Sequence, residues 1–270
     1  MDVGTAARLE RIGTDGTHVI VPMDHGITLG AVNGLVDIES TIDAVTCGGA
    51  DAVLTQKGIA PRVHDNKNGA GFVVHLNAST SIGPDNDDKR LTGSVKEAVR
   101  AGADAVSFHI NVGSEYEREQ MKELADLTEE AAQFGMPVLA MAYARGPGVD
   151  EHDAESLGHA VRLAEEVGCD VVKTAYSGDA ESFERVVEST RLPVVIAGGE
   201  PEDNAEIIRG VLSGSRTGAA RTAVVMNAAA AILVGGRAAS FAEAADVARA
   251  SLDSGAAAAR LDALREASNV

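Results

Sequence analysis

The run Asp170-Val171-Val172-Lys173-Thr174-Ala175 sets a lysine directly after an apolar stretch. Burial and a nearby cation both lower a lysine's pKa, and the resulting free amine can attack a ketone and form a Schiff base. Lys57 is the candidate neighbouring cation. Two plainer readings stay open for Lys173: a side chain whose head reaches out to water, or one paired structurally with Asp24. Reactive types recur at matching places, each just after an apolar run: Asp24 and His25, Lys57, His75 and Asn77, His109 and Asn111, Tyr143 and Arg145, Tyr176 beyond Lys173, and the pair Gly198-Gly199. Carbon–carbon cleavage needs a base for the hydroxyl proton and an acid for imine formation, roles that suit Asp24 and Tyr143. Taken singly, Asp24 also reads as a turn former before His25-Gly26, and Tyr143 as an amphipathic rim residue. His25, Lys57, His109, Arg145, Gly198 and Gly199 are the candidate substrate-binding residues. Three histidines can hold zinc. Here His25, His75 and His109 fall on three separate runs, which makes the metal reading the weaker one. A glycine pair can present backbone N–H groups to phosphate, although the pair alone is a weak signal. Arg145-Gly146-Pro147-Gly148 reads either as a loop closing over substrate or as a simple turn.

These residues need elements to hold them, and the chain repeats one. A helical pattern ends, a small-residue turn follows, and a β-branched run begins, as in Gly48-Gly49-Ala50-Asp51-Ala52-Val53, Ala101-Gly102-Ala103-Asp104-Ala105-Val106 and Val167-Gly168-Cys169-Asp170-Val171-Val172. A second form leads in through proline, as in Met136-Pro137-Val138 and Leu192-Pro193-Val194. Glycine closes the preceding helix by accepting positive φ. The runs are continuous rather than alternating, the mark of strands buried on both faces. Seven are predicted, at 18–23, 51–56, 71–76, 104–110, 137–142, 170–175 and 193–197, with helices such as 115–134 and 154–167 between them. Strand, helix and parallel strand in alternation point to an α/β fold, a TIM-type (β/α)8 barrel, although spacing alone leaves an open sheet possible. In such barrels the strand C-terminal ends carry the chemistry, where the polar residues above fall.

After Gly199 the repeat stops. Residues 202–213, 222–234, 241–252 and 255–268 read as Ala- and Glu-rich helices. Val224-Val225-Met226 and Ile232-Leu233-Val234 are the remaining candidates for an eighth strand, and both sit among alanines. The expected organisation is a seven-stranded barrel part over 1–199 and a helical segment over 200–270, with the closing strand missing or replaced. Gly235-Gly236-Arg237 mimics part of a phosphate-binding turn within a predicted helical hairpin.

Composition narrows the partners. The formal net charge is −18, and six of the 23 basic residues are lysines. Nucleic acid and anionic membrane both call for a positive surface, so neither is an expected partner. Abundant carboxylates suit a salt-adapted cytoplasm, where their repulsion is screened. Cys47 and Cys169 lack metal-ligand spacing and read as two buried, reduced thiols. The first 16 residues show no signal-peptide pattern, and the longest apolar run, 228–234, is too short to span a bilayer.

With these residues in hand the chain resembles a known group. Val19-Ile20-Val21-Pro22-Met23-Asp24-His25-Gly26, Gln56-Lys57-Gly58-Ile59, His109-Ile110-Asn111-Val112-Gly113-Ser114, Met141-Ala142-Tyr143-Ala144-Arg145-Gly146 and Val172-Lys173-Thr174 resemble the archaeal class I (DhnA-type) aldolases, in order, over about 1–199. Within that group the heptulosonate-forming branch matches better than its sister, the fructose-bisphosphate aldolases. The resemblance implies that Lys173 forms the Schiff base, Tyr143 is the acid/base and Asp24 assists proton transfer. It implies a ketose phosphate as donor and L-aspartate semialdehyde as acceptor, a step toward the aromatic amino acids, no metal or other cofactor, and a ring-forming homo-oligomer. The family also carries an eighth strand with a Gly-Arg-Asn phosphate turn, which is not found here. Residues 203–209, 221–231 and 250–257 instead resemble the C-terminal end of anthranilate phosphoribosyltransferases, without that family's phosphoribosyl-diphosphate loop. The chain therefore reads as a fusion, either an active aldolase whose tail covers the gap or an inactive product that keeps the lysine.

Overall fold

The computed structural model describes residues 2–268 except 15, 33, 198–200, 219–220, 223, 226–227, 230–231 and 233–236, with backbone alone for 201–205, 241 and 264–268. Gly198, Gly199 and Gly235-Gly236 thus lie outside the described residues. Two compact units result, Met1–Ala197 and Gly198–Val270.

In the first unit the strands are β1 (Ile20–Pro22), β2 (Ala52–Gln56), β3 (Gly71–His75), β4 (Asn77–Ala78), β5 (Arg90–Leu91), β6 (Ala105–Val112), β7 (Val138–Ala144), β8 (Val171–Thr174) and β9 (Val194–Ile196). Seven of them form one parallel, curled sheet in the order β1-β2-β3-β6-β7-β8-β9. All seven predicted runs supply its strands, and the predicted helices appear at Glu117–Ala132 and Ala154–Val167. The short antiparallel ribbon β4–β5 was not predicted. Two residues per strand leave no periodicity to read, and the Ser79–Lys89 connection between them is a run of Gly, Pro, Asp and Asn.

The recurring aspartate at the strand lead-in has a structural task. Asp51 Oδ2 accepts from the Val19 N–H at 2.8 Å, Asp104 Oδ2 from Phe72 N–H at 3.0 Å, and Asp170 Oδ2 from Val138 N–H at 2.9 Å. Each carboxylate pairs a backbone donor at the start of the adjacent, preceding strand of the sheet, and for the buried Phe72 N–H an unpaired donor would be costly. The motif fixes register as well as the turn.

Side chains alternate across the sheet with period two. Val53, Phe72, Val74, Val106, Phe108, Ile110, Ala140 and Val172 face the helices in one buried layer. Ala52, Leu54, Val73, Ala105, Leu139, Met141, Tyr143 and Val171 form the second, inner layer, plugged by Ile12. Among the described residues β1 and β9 pair with no further strand on their outer sides, so the sheet has seven strands and no closing eighth.

In the second unit, helices span Pro201–Leu212, Phe241–Asp253 and Ala256–Ser268. Val224, Val225 and Ile232, which the sequence left as candidate strand residues, are helical. Val211, Val225, Ala229, Ala244, Ala245, Ala248 and Leu252 form a small core of its own.

Candidate active site

Extending the inner-face parity past the strand ends brings one set of side chains together. On β1 it runs 20, 22, 24; on β3, 73, 75; on β6, 105 to 111; on β7, 139, 141, 143; on β8, 171, 173. Asp24, His75, His109, Asn111, Tyr143 and Lys173 therefore belong to the inner face at the C-terminal mouth. Lys173 is laterally paired with Met141 of β7 and Val195 of β9. Burial holds its ammonium below the usual lysine range, and the Asp24 carboxylate opposes that shift. An amine so placed spends more time neutral and nucleophilic.

Asp24 is the electrostatic centre of the group. Its Oδ2 lies 3.8 Å from His75 Nε2, and its charge also acts on Lys173, Lys89 and Tyr143. His75 is buried, shares a hydrogen bond of 2.8 Å between Nδ1 and Ser107 Oγ, and is held below the ordinary histidine range by burial. Tyr143 is 9% exposed, and burial pushes its phenol up to about 12, so it stays protonated near neutrality. Its ring lies 5.1 Å from that of His109, and the Arg145 guanidinium stacks 4.6 Å from the ring centre.

His109 has a defined tautomer. The Asn111 side chain donates from Nδ2 to Asp87 O at 3.3 Å and to Asp87 Oδ1 at 3.2 Å, leaving Asn111 Oδ1 to face His109 Nε2 at 2.7 Å. Nε2 therefore carries the hydrogen and Nδ1 is the free acceptor. Burial first, and the Lys89 charge second, hold His109 well below its ordinary range, so it works as a neutral imidazole. The buried Asn77 extends the β3–β6 ladder by side chain, donating to His109 O and accepting from His109 N–H, both at 2.8 Å.

Other residues singled out from sequence lie elsewhere. Lys57 follows the inward Gln56, so parity turns it away; its Nζ pairs with Glu97 Oε1 at 2.7 Å, outside the group around Lys173. The cation that does reach the site is Lys89, from the β4–β5 connection, and an acidic Asp85-Asn86-Asp87-Asp88 context disguised it as a solvated turn. His25 is likewise one residue out of step with Asp24; it is exposed and precedes the short helix Gly26–Leu29. Arg145, by contrast, stays at the mouth beside Tyr143; it is half-buried and also pairs with Glu151 at 3.1 Å. In its loop, Gly146 sits against the Gly113 carbonyl, 1.9 Å from where a Cβ would stand, so that glycine serves a backbone crossing. Cys169 is buried, its thiol pushed up to about 12 by burial, whereas Cys47, in the last turn of a surface helix, is exposed. Among the described residues no cluster of three metal-ligating side chains forms. A cavity of about 510 Å³ opens at the opposite, N-terminal end of the strands, lined by Arg11, Asp51, Lys67 and Asp104, and none of the strand-end residues borders it.

A mouth with a buried lysine of lowered pKa, a protonated phenol, a carboxylate and neutral imidazoles is equipped for imine formation and proton shuttling. Comparison with known proteins points the same way. The family model described as DeoC/LacD family aldolase matches residues 18–261. The 2-amino-3,7-dideoxy-D-threo-hept-6-ulosonate synthase of Halobacterium salinarum is 66% identical over 219 residues, covering 81% of this chain and 83% of the relative. A synthase of the same name, numbered 1, from Archaeoglobus fulgidus is 39% identical over 83% of this chain and 84% of its own. Among solved structures, the Schiff-base-forming fructose-1,6-bisphosphate aldolase superposes with a TM-score of 0.68 at 30% identity, over 77% of this chain and 87% of its own. No helix among the described residues is long and apolar enough to cross a membrane.

Proposed function

The chain belongs to the DeoC/LacD family of aldolases, enzymes of the Schiff-base type, and from that premise we propose that it is a 2-amino-3,7-dideoxy-D-threo-hept-6-ulosonate synthase using Lys173 as nucleophile. The observation that carries the reading is the inner-face group around Lys173, within a chain 66% identical to the Halobacterium synthase and 30% identical to the solved fructose-1,6-bisphosphate aldolase. The Lys173 amine adds to the ketone of a deoxy-ketohexose phosphate and water leaves, giving an iminium ion. Tyr143 supplies and recovers the proton of that dehydration, and Asp24 takes the proton of the substrate hydroxyl as the carbon–carbon bond breaks and the phosphate-bearing fragment leaves as an aldehyde. The enamine left on Lys173 adds to the aldehyde of L-aspartate semialdehyde, and water releases the ketone product. His109 and Arg145 line the substrate side, and Gly198-Gly199 are the proposed phosphate donors. A homo-oligomer in the cytoplasm of a salt-adapted archaeon fits the charge of −18. The chain combines an aldolase part over 1–199 with a helical part of separate origin over 200–270.

The missing eighth strand among the described residues favours one rival, an inactive chain that retains the lysine. Borohydride trapping separates the two. The protein is incubated with a fructose 1-phosphate-type ketose phosphate, reduced and mapped by mass spectrometry. An adduct on Lys173, lost in Lys173→Ala, supports the synthase; no adduct on a folded sample sinks it.

A further inference from the structure

The two ring nitrogens of His109 have different neighbours, and a chain of buried amides decides which of them holds the hydrogen. The chain starts at Gln120, 1% exposed, in the helix Glu117–Ala132. Its Oε1 accepts from the Asn111 N–H at 2.8 Å, and its Nε2 donates to Asp87 O at 2.6 Å. A backbone N–H only donates and a carbonyl only accepts, so this amide has one possible orientation. Asn111, fully buried, is fixed in the same way, because its Nδ2 donates to the same carbonyl and to Asp87 Oδ1. Its Oδ1 is thereby turned to His109 Nε2 at 2.7 Å, and the imidazole hydrogen sits there. His109 Nδ1 makes no hydrogen bond among the described residues, and it is not sealed from solvent. Burial keeps the ring neutral, so Nδ1 stands at the mouth as a ready acceptor.

Lys173 pairs laterally with Met141, and Met141 with His109, so the lysine and the imidazole leave the inner face in one row, two strands apart. At about 4.8 Å per strand their backbones are about 10 Å apart, with room between the two side chains for a small fragment. The reaction proposed above leaves such a fragment on Lys173 once the phosphate-bearing aldehyde has gone. It is an enamine of three carbons, and its nucleophilic carbon becomes the hydroxyl-bearing carbon beside the ketone of the 3,7-dideoxy-6-ulosonate. That hydroxyl has a hydrogen to donate. A plain alkyl group in its place would leave the imidazole acceptor unpaired beneath the substrate, which costs binding. We propose that Asn111, held by Gln120 and Asp87, is a positioning residue that commits His109 Nδ1 to accept from this hydroxyl, so that the mouth selects hydroxymethyl ketones over alkyl ketones. The proposal rests on the Schiff-base reading for the fragment it concerns.

Hydroxyacetone and butan-2-one differ by a hydroxyl against a methyl beside the ketone, and neither carries a phosphate. The full-length protein is reduced with borohydride in the presence of each, and the Lys173 adduct is measured by mass spectrometry. Comparing the ratio of the two adducts between variants cancels the ketones' own reactivities. The hydroxyacetone-to-butanone ratio should be at least about threefold higher in wild type than in Asn111→Leu, the worth of one hydrogen bond. His109→Gln keeps a donor for Asn111 but has no acceptor at the Nδ1 place, and should lose the preference likewise. Histidine-nitrogen NMR should show the wild-type His109 hydrogen on Nε2, protected from exchange, and that protection should be lost in Asn111→Leu. If Asn111→Leu fails to fold, His109→Gln and the wild-type tautomer decide the matter. A hydrogen on Nδ1 in the wild type would overturn the proposal. An equal ratio in all three proteins would also overturn it, while leaving the Schiff base on Lys173 standing. An adduct from neither ketone on a folded wild type would refute the Schiff-base reading, and the hydroxyl contact with it.

Discussion

Replacing Gln120 with leucine isolates the network beneath the site. The side chains are of similar size, so packing against the helix core is nearly kept and the polar contribution is exposed. Two hydrogen bonds vanish, at 2.8 and 2.6 Å. Their losses differ. Asp87 O retains the Lys89 N–H at 2.9 Å and Asn111 Nδ2 at 3.3 Å, so removing its third donor costs about 0.5–1.5 kcal/mol. The Asn111 N–H has no other acceptor among the described residues and is buried, which costs about 1–3 kcal/mol. The sum is about 1.5–4.5 kcal/mol, or roughly 3–18 °C in Tm at about 2–4 °C per kcal/mol for a unit of this size. Urea denaturation and thermal melts at matched salt measure it. Loop 79–89 should also lose order around Lys89, which limited proteolysis reports as faster cleavage there, while Lys173 trapping persists. A stability change below about 1 kcal/mol would mean the Gln120 bonds are not the loop's anchor, and the reasoning would fail.

Three further outcomes follow from the same geometry. Lys57→Ala should leave Lys173 trapping and its pH profile unchanged, because Lys57 pairs with Glu97 on a partly exposed face, and should cost no more than about 1 kcal/mol of stability; a profile moved toward higher pH would restore Lys57 as the neighbouring cation. His75 and His109 are held neutral below their ordinary value of 6.5, so the unfolded chain binds protons that the folded one does not. Stability is then complete well above 6.5 and falls as pH drops below it, approaching at most about 1.4 kcal/mol per pH unit for each histidine; His109→Gln should visibly reduce that fall between pH 6.5 and 5.5, and a flat wild-type profile would contradict it. Tyr143→Phe should still trap ketose phosphate slowly on Lys173 but lose about 10²–10⁴-fold in turnover, the usual worth of a proton carrier; turnover within threefold of wild type would remove Tyr143 from proton transfer.

The strands were readable from sequence because burial on both faces writes an uninterrupted apolar run, and seven such runs became the seven strands of one sheet. The strand ends were readable as a group, yet not residue by residue. Lys57 and His25 each lie one position out of phase with an inward residue, and a run buried on both faces carries no alternation from which to see the phase. Asp24 and Lys173 keep the phase, and the charge of one acts on the other. The lead-in aspartates were visible as a repeat, but their bonds to a neighbouring strand's backbone depend on pairing that no local pattern records.

Lys89 and Gln120 illustrate the deeper limit. Lys89 follows Asp85-Asn86-Asp87-Asp88, the composition of a solvated turn, and Gln120 sits in a helix whose other buried positions are Leu124, Leu127 and Ala131. Neither is unusual where it stands in sequence. What makes them informative is that a buried amide spends both of its polar ends on one loop and one strand, and that the loop so anchored carries an ammonium whose Nζ donates to Ser79 Oγ across its neck. Holding a lysine over the mouth in that way costs desolvation, which the charges of Asp87, Asp24 and Asp85 oppose. The acidic neighbours that disguise Lys89 in the sequence are thus the ones that keep it charged at the mouth, and only the folded loop shows them doing so.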